Sequence, residues 1–153
     1  MKIVFMGTPP FAIPSLKKIE KSRHKIVSVV TVPDKPGGRG LKLRYSAVKE
    51  YALKSGIRIL QPEDVKSPGF IESLKALNAD LFVVVAFQIL PAEIFEIPPL
   101  GTINLHSSLL PKYRGAAPIN WAIINGETET GVSTFFINKK VDAGNLLLQR
   151  KKM

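Results

Sequence analysis

Short apolar runs alternate along this chain with segments whose apolar residues recur every three or four positions. The runs at 2–6, 25–31, 57–60, 80–87 and 102–106 have the length of buried strands. The segments between them carry helical spacing, and Thr8, Ser46 and Ser67 stand where helix N-caps are expected. This alternation predicts an α/β fold, with a doubly wound, mostly parallel sheet and helices on both faces.

Finer detail follows from the same pattern. The helix after Ser46 is expected to end at Gly56, and the most apolar run, 80–87, is expected at the centre of the sheet. A helical turn is expected at 91–95, a helix at 118–125, and strands at 132–137 and 146–149. Active sites of such sheets form beyond the carboxyl ends of the strands, so polar clusters that follow strands are the candidates for function.

The first two clusters differ in character. Gly7 is followed by prolines and lacks the glycine spacing of a dinucleotide loop, which argues against a nicotinamide or flavin cofactor. The stretch 33–44 is rich in glycine and proline, which should keep it out of helix and sheet. Its basic residues can order on a phosphate backbone, although a solvated loop explains them equally well. They are Lys35, Arg39, Lys42 and Arg44.

The third cluster begins at the end of the strand 102–106. Asn104 and His106 are two positions apart, so both side chains should point to the same face. An amide and an imidazole there can stabilise an oxygen that becomes negative and exchange a proton with an amine. The alternative is a polar pair satisfied within a turn. Asp142 follows the strand 132–137 and could stabilise the imidazolium, or simply cap a turn.

Composition narrows the class of protein. The 153 residues have a net charge of +10, which attracts nucleic acid, membrane surfaces or anionic metabolites. There is no cysteine, so a disulfide and a thiolate metal site are excluded. His24 and His106 lie on different elements without metal-ligand spacing, so no metal site is expected. No apolar run approaches the roughly 20 residues of a membrane helix, and no signal peptide is visible; a cytoplasmic protein is expected.

Two motifs carry a family resemblance. Asn104-x-His106-x-Ser108-Leu109-Leu110-Pro111 is followed by Tyr113-Arg114-Gly115, and Gly126-x-Thr128-x-Thr130-Gly131 by Asp142-x-Gly144. Together they resemble the signature of the formyltransferases that use 10-formyltetrahydrofolate. That resemblance implies a Rossmann-like formyltransferase fold. It also implies that Asn104, His106 and Asp142 form the catalytic set.

The opening Gly7-Thr8-Pro9-x-Phe11-Ala12 and the 33–40 loop are similar to methionyl-tRNA formyltransferases in particular. The resemblance implies transfer of a formyl group to the amino group of methionyl-initiator tRNA in translation initiation. It also implies that the basic residues of 33–44, Arg39 above all, bind the tRNA. Formyltransferases that act on amino-sugar nucleotides share the 104–144 motifs but lack this loop, and they are the alternative.

The resemblance further implies folate contacts at two stretches, which are Phe87, Gln88, Ile89 and Leu90, and Ser108, Leu109, Leu110 and Pro111. The first stretch is one residue shorter than the common form, so the wall of the folate pocket should be reshaped. Residues 1–153 are expected to be a monomeric catalytic domain that is incomplete at its C-terminus, without the separate tRNA-binding domain of the family. A noncatalytic fragment that binds folate or nucleic acid is the remaining alternative.

Overall fold

The computed structural model describes residues 1–37 and 42–152, and only the backbone of Lys42. Helices and strands alternate over most of the chain, as the apolar pattern predicts. The strands are β1 (Lys2–Gly7), β2 (Lys25–Val30), β3 (Lys35–Gly37), β4 (Lys42–Arg44), β5 (Ile59–Leu60), β6 (Leu81–Val85), β7 (Thr102–His106), β8 (Thr130–Phe136) and β9 (Leu146–Lys152). The helices are α1 (Ile13–Glu20), α2 (Ala47–Ser55), α3 (Pro68–Ala76), α4 (Ala92–Phe95) and α5 (Pro118–Ile124).

Seven strands form one sheet in the order β5-β2-β1-β6-β7-β8-β9. Strands β5, β2, β1, β6 and β7 run parallel, whereas β8 and β9 are antiparallel to their neighbours. The chain moves outward from β1 to β2 and β5, then returns to place β6 on the other side of β1. The strand order therefore reverses at the β1–β6 boundary, where open α/β sheets form their ligand crevices.

Strand periodicity explains why helices cover both faces of the sheet. Ile3 and Phe5 of β1 pack in one core cluster with residues of α1 and α2, including Leu16. Val4 and Met6, on the opposite face of the same strand, pack with residues of α3 and α4, including Leu74 and Ile94. A strand that is buried on both faces must be apolar at every position, which is why β1 and β6 read as continuous apolar runs. The predicted doubly wound, mostly parallel sheet is confirmed.

Local sequence signals succeed at α2 and fail at α1. The Ser46 side chain accepts a hydrogen bond from the Lys49 N–H at 3.0 Å, and Gly56 ends the helix with φ of 65°, as predicted. The prediction that Thr8 caps a helix is wrong. Pro9 and Pro10 lead instead into a short 3-10 turn over Pro10–Ala12, and α1 starts only at Ile13.

Other element boundaries also differ from expectation. Strand β6 ends at Val85 rather than 87, because Ala86 turns into the left-handed region with φ of 50°. Strands β8 and β9 are longer than predicted, since they pair with each other as an antiparallel ladder. The flanks of the 33–44 stretch do enter a sheet: β3 and β4 form a separate antiparallel hairpin despite Pro36 and Gly37.

Within the described residues, no helix is long and apolar enough to cross a membrane. The longest helices, α2 and α3, have nine residues each.

Candidate active site

A cavity of about 690 Å³ opens beside the carboxyl ends of the central strands. Its walls come from Phe11 after β1, residues 86–92 after β6, residues 104–107 of β7 and its turn, and the loop 137–142 after β8. The cavity thus lies at the edge of the sheet where the strand order reverses, as the topology requires. Its volume is in the range of about 300–1000 Å³ that is usual for small-molecule sites.

Asn104 and His106 both line this cavity. They lie on β7, with Phe135 opposite Asn104 and Ser133 opposite His106 on β8. Asn104 is half-buried, and His106 is only 8% exposed. Among the described residues, no side-chain hydrogen bond engages the Asn104 amide, so its N–H donors remain available to a molecule in the cavity.

Both ring nitrogens of His106 face protein groups. Nε2 lies 2.7 Å from the carbonyl oxygen of Tyr113. Because a carbonyl can only accept, Nε2 carries a proton. Nδ1 lies 3.8 Å from Oδ2 of Asp142. This edge of the His106 ring therefore faces a carboxylate.

The loop after β8 brings Asp142 to this position. Its Oδ2 accepts a hydrogen bond from the Gly115 N–H at 2.8 Å, and its carbonyl oxygen accepts one from Nε of Arg114 at 3.0 Å. Gly144 allows the loop to press against β8: a Cβ at this position would lie 1.5 Å from the carbonyl oxygen of Phe136. In the motif Asp142-x-Gly144, the glycine allows the loop to approach β8 closely. This approach places the Asp142 carboxylate near His106.

Backbone strain concentrates around the cavity. In the described part of the chain, five non-glycine residues have φ between 46° and 56°, a region that costs energy for residues with a Cβ. Of these, Ala86, Ala117 and Asp142 line the cavity, and Tyr113 supplies the carbonyl that holds His106. Such conformations persist only where the surrounding structure holds them, and they cluster at functional sites.

Only one of the two stretches predicted to contact folate lines the cavity. Phe87, Gln88, Ile89 and Leu90 all line the cavity. The stretch from Ser108 to Pro111 lies outside this lining, and the folate contact expected at these residues stays a prediction. This stretch packs against β8 and β9 instead.

Two polar side chains that sequence reasoning missed hold this second stretch. Ser133 Oγ donates to the Ser108 carbonyl at 2.6 Å and accepts from the Leu110 N–H at 3.1 Å. Gln149 Nε2 donates to the Leu110 carbonyl at 2.7 Å and to Ser133 Oγ at 3.0 Å. Nothing in the local sequence marks these residues, because their partners come from a different part of the chain. They fix the turn that follows His106.

Of the candidate tRNA-binding residues, Lys35 and Arg44 lie on the β3–β4 hairpin, outside the cavity lining. Lys35 and Arg44 are exposed and sit opposite each other in the ladder. The aliphatic part of Arg44 crosses Gly37, where a Cβ would lie 2.5 Å from its Cδ. Lys42 contributes its backbone to β4, and Arg39 lies outside the described residues.

Glu127 was also missed, and it anchors the strained turn at Tyr113. The Tyr113 hydroxyl donates to Oε1 of Glu127 at 2.8 Å, and Lys112 Nζ lies 3.1 Å from the same oxygen. These hydrogen bonds, the one from Tyr113 first, hold the pKa of the Glu127 carboxyl below its usual 4.5. The carboxylate therefore links Tyr113, whose carbonyl holds His106, to the turn after α5.

Acid should loosen this link. A carboxyl whose pKa is lower in the folded than in the unfolded chain contributes stability above its unfolded value, here near 4.5, and loses it as the pH falls through the folded value. We expect the unfolding temperature of the wild type to fall more steeply below pH 4.5 than that of Glu127→Gln. Glu93→Gln, which alters an exposed carboxylate on α4, is the matched control. Parallel profiles for the wild type and Glu127→Gln would remove the stabilising role of this carboxylate.

A formyl transferase family model matches residues 1–152. The methionyl-tRNA formyltransferase of Flavobacterium psychrophilum is 59% identical over 152 residues, which cover 99% of this chain and 48% of that protein. The chain thus spans about half the length of the curated relatives it matches.

Solved structures resemble it as well. The phosphoribosylglycinamide formyltransferase from Bacillus halodurans has a TM-score of 0.79 at 19% identity, over 99% of this chain and 79% of that one, and it shows the fold alone. The sugar 3N-formyl transferase WlaRD, solved with dTDP and 5-N-formyl-THF, has a TM-score of 0.70 at 26% identity, over 99% of this chain and 52% of that one. The match of the family model over residues 1–152 shows that this chain belongs to the formyl transferase family.

Proposed function

We propose that this chain carries the catalytic machinery that transfers a formyl group from 10-formyltetrahydrofolate to the amino group of methionyl-initiator tRNA. The observation that carries the proposal is the convergence of Asn104, His106 and Asp142 on one cavity, with 3.8 Å between His106 Nδ1 and Asp142 Oδ2. The 59% identity to a methionyl-tRNA formyltransferase supports the choice of acceptor within the family.

The cavity fits a folate in size and in lining. Phe87, Ile89 and Leu90 supply apolar surface for a flat ring system, and Gln88 adds a polar side chain. When bound, 10-formyltetrahydrofolate supplies a formyl group at the oxidation level of the product, so no redox partner is needed. The stretch from Ser108 to Pro111, held by Ser133 and Gln149, is assigned a positioning role for the turn after His106.

In the reaction, Asn104 stabilises the developing charge, and His106 and Asp142 handle the proton. The Asn104 amide donates to the formyl oxygen, which gains negative charge as the amine adds to the formyl carbon. His106 takes the proton that leaves the amine at Nδ1 and returns one to the departing folate nitrogen, so that one C–N bond forms and one breaks. Asp142 stabilises the protonated ring during this exchange.

The tRNA is assigned to the basic hairpin. Lys35, Arg39, Lys42 and Arg44 add four positive charges in a short stretch of a chain whose net charge is +10. Lys35 and Arg44 are exposed opposite each other, where like charges repel unless an anion lies between them. A phosphate backbone supplies such anions.

Replacing Arg39 by alanine tests this assignment. We expect affinity for initiator tRNA to fall by about 1–3 kcal/mol, because a cation that contacts the phosphate backbone is lost. Folate affinity should be unchanged, because the described hairpin residues Lys35 and Arg44 are outside the cavity lining. Arg23→Ala, which removes an exposed cation before β2, is the control for net charge. Loss of folate binding in Arg39→Ala would show that the loop belongs to the folate site instead.

The direct test is formyl transfer from 10-formyltetrahydrofolate to methionyl-initiator tRNA, with an amino-sugar nucleotide as the competing acceptor. Formyl-methionyl-tRNA as the product supports the proposal. Formylation of the sugar alone would make the chain a sugar formyltransferase like WlaRD. Folate binding without transfer to either acceptor would make this chain a noncatalytic folate-binding fragment.

A further inference from the structure

The basic hairpin, formed by β3 and β4, has few contacts of its own that fix its orientation relative to the main sheet. Among the described strands, β3 and β4 pair only with each other and do not join the main sheet. Leu43 is 62% exposed, so the hairpin does not bury this side chain against the body. Pro36 cannot donate a ladder hydrogen bond, and Lys35 faces Arg44. An isolated two-stranded hairpin is marginal in water, so its orientation must be set at its base.

Four side chains meet at that base, and we call Asp34, Tyr45, Lys49 and Gln61 the basal clasp. Asp34 immediately precedes β3, and Tyr45 immediately follows β4. Lys49, on α2, reaches both: its Nζ lies 2.5 Å from Oδ2 of Asp34 and 4.2 Å from the centre of the Tyr45 ring. One ammonium group therefore holds the entering and leaving ends of the hairpin to the same helix.

Gln61, which follows β5, completes the clasp from the sheet. Its Nε2 donates to Oδ1 of Asp34 at 2.8 Å and to the Val32 carbonyl at 3.0 Å, which uses both of its N–H groups. Next to the clasp, Thr31 Oγ1 and Ser46 Oγ are 2.6 Å apart, a further link between the two ends. Both oxygens of the Asp34 carboxylate are thus engaged by side chains from two different elements.

These contacts are partly shielded from solvent. The side chains of Lys49 and Asp34 are 14% and 21% exposed. The hydrogen bonds from Lys49 and Gln61 hold the pKa of Asp34 below its usual 3.8, so the carboxylate is ionised at neutral pH. The Lys49 ammonium is occupied by Asp34 and Tyr45, which makes it a poor ligand for a phosphate. Its position indicates a role inside the protein rather than contact with a partner.

We propose that the basal clasp positions the basic hairpin for initiator tRNA, with Asp34 and Lys49 as positioning residues that act through the exposed cations Lys35 and Arg44. The inference rests on the proposed function of the hairpin. It assigns a role in RNA binding to an acidic residue, which simple electrostatics would treat as unfavourable.

Asp34→Ala distinguishes the two explanations, because they predict opposite changes in tRNA affinity. The substitution removes one carboxylate and raises the net charge from +10 to +11, so attraction alone predicts tighter binding of tRNA. The clasp predicts the opposite: affinity for fluorescently labelled initiator tRNA should fall by about tenfold or more, because the hairpin is no longer held in place. Glu50→Ala is the matched control. It removes an exposed carboxylate on α2, the helix that carries Lys49, and should leave tRNA binding unchanged or slightly tighter.

A second readout follows the hairpin directly. Trypsin should cleave after Arg44 several times faster in Asp34→Ala and in Lys49→Met than in the wild type, because local opening exposes the stem. Lys54→Met, at an exposed position of α2, should cleave at the wild-type rate. Folate affinity should be equal in all variants. If Asp34→Ala fails to fold, Lys49→Met carries the same comparison against Lys54→Met.

The outcomes separate the two claims. A wild-type chain without affinity for initiator tRNA overturns the proposed partner, and the positioning role falls with it. A wild type that binds tRNA, with Asp34→Ala binding as tightly or more tightly and Arg44 cleaved at the wild-type rate, overturns the clasp alone. Weaker binding and faster cleavage in both clasp variants, with both controls unchanged, supports it.

Discussion

Replacing Asn104 by alanine is expected to slow formyl transfer by about 100- to 1000-fold while leaving the fold and folate affinity nearly unchanged. Asn104 lines the cavity from the central part of the sheet, and no side-chain hydrogen bond within the described residues competes for its amide. Both ring nitrogens of His106 face protein groups, whereas the Asn104 amide has no side-chain hydrogen bond with any residue of 1–37 and 42–152. Asn104 is therefore the donor best placed for the oxygen that becomes negative.

The size of the loss distinguishes catalysis from packing. A rigid donor aimed at a developing charge contributes about 2.7–4 kcal/mol, because it needs no reorganisation during the reaction. If the half-buried Asn104 amide had only a structural role, its loss would lower the unfolding temperature rather than the rate of transfer. The rate is measured under single-turnover conditions, folate affinity by calorimetry, and stability by thermal unfolding. Asn120→Ala, at an exposed position of α5, is the matched control.

A loss of less than tenfold for Asn104→Ala, with folate affinity intact, would remove Asn104 from the oxyanion role. His106 would then have to turn one nitrogen away from Tyr113 or Asp142 to serve as the donor. An equal fall in rate and in folate affinity would instead mean that Asn104 binds the folate, not the charge that develops on the formyl oxygen.

The sequence predicts those parts of the fold that depend on local pattern. Strand β7 has the bounds predicted for it, and the helix α2 begins at its Ser46 cap and ends at Gly56. These features depend on side-chain alternation and on caps within a few residues. Asn104 and His106 share the cavity for the same reason, since residues two apart on a strand face the same way.

Features that depend on distant partners could not be predicted in this way. The β3–β4 hairpin forms although Pro36 and Gly37 argue against a strand, and the residue before it, Asp34, contacts Lys49 on α2. The Ser133 and Gln149 hydrogen bonds bring β8 and β9 against the turn after His106. Asp142 was a candidate from its motif, yet its distance from His106 follows from the course of a loop that no local rule describes.

That loop depends on Gly144, and Gly144→Ala is expected to disable the site without changing any side chain that lines the cavity. A Cβ at this position would lie 1.5 Å from the carbonyl oxygen of Phe136 and 2.7 Å from its carbonyl carbon. Both are backbone atoms of β8, and they cannot move without disturbing the start of the β8–β9 ladder. The loop must move instead, and it carries Asp142 away from His106.

Two effects should follow from Gly144→Ala. Overpacking against a fixed backbone typically costs about 1–3 kcal/mol, so the unfolding temperature should fall. A displacement of about 1 Å at a catalytic group can cost on the order of 100-fold in rate, so transfer should be lost even where the variant remains folded. Gly69→Ala is the matched control: a Cβ there meets nothing within 4 Å, and alanine should be neutral or favourable in α3.

The NMR signals of the His106 ring distinguish displacement of the loop from loss of the fold. The chain has two histidines, so the ring signals of His106 and His24 can be followed by NMR in the same sample. Gly144→Ala should shift the His106 signals and leave those of His24 in place, because only His106 faces Asp142. A variant with wild-type rate and unshifted His106 signals would show that the loop tolerates the added methyl group. In that case the proximity of Asp142 to His106 would not depend on glycine at this position.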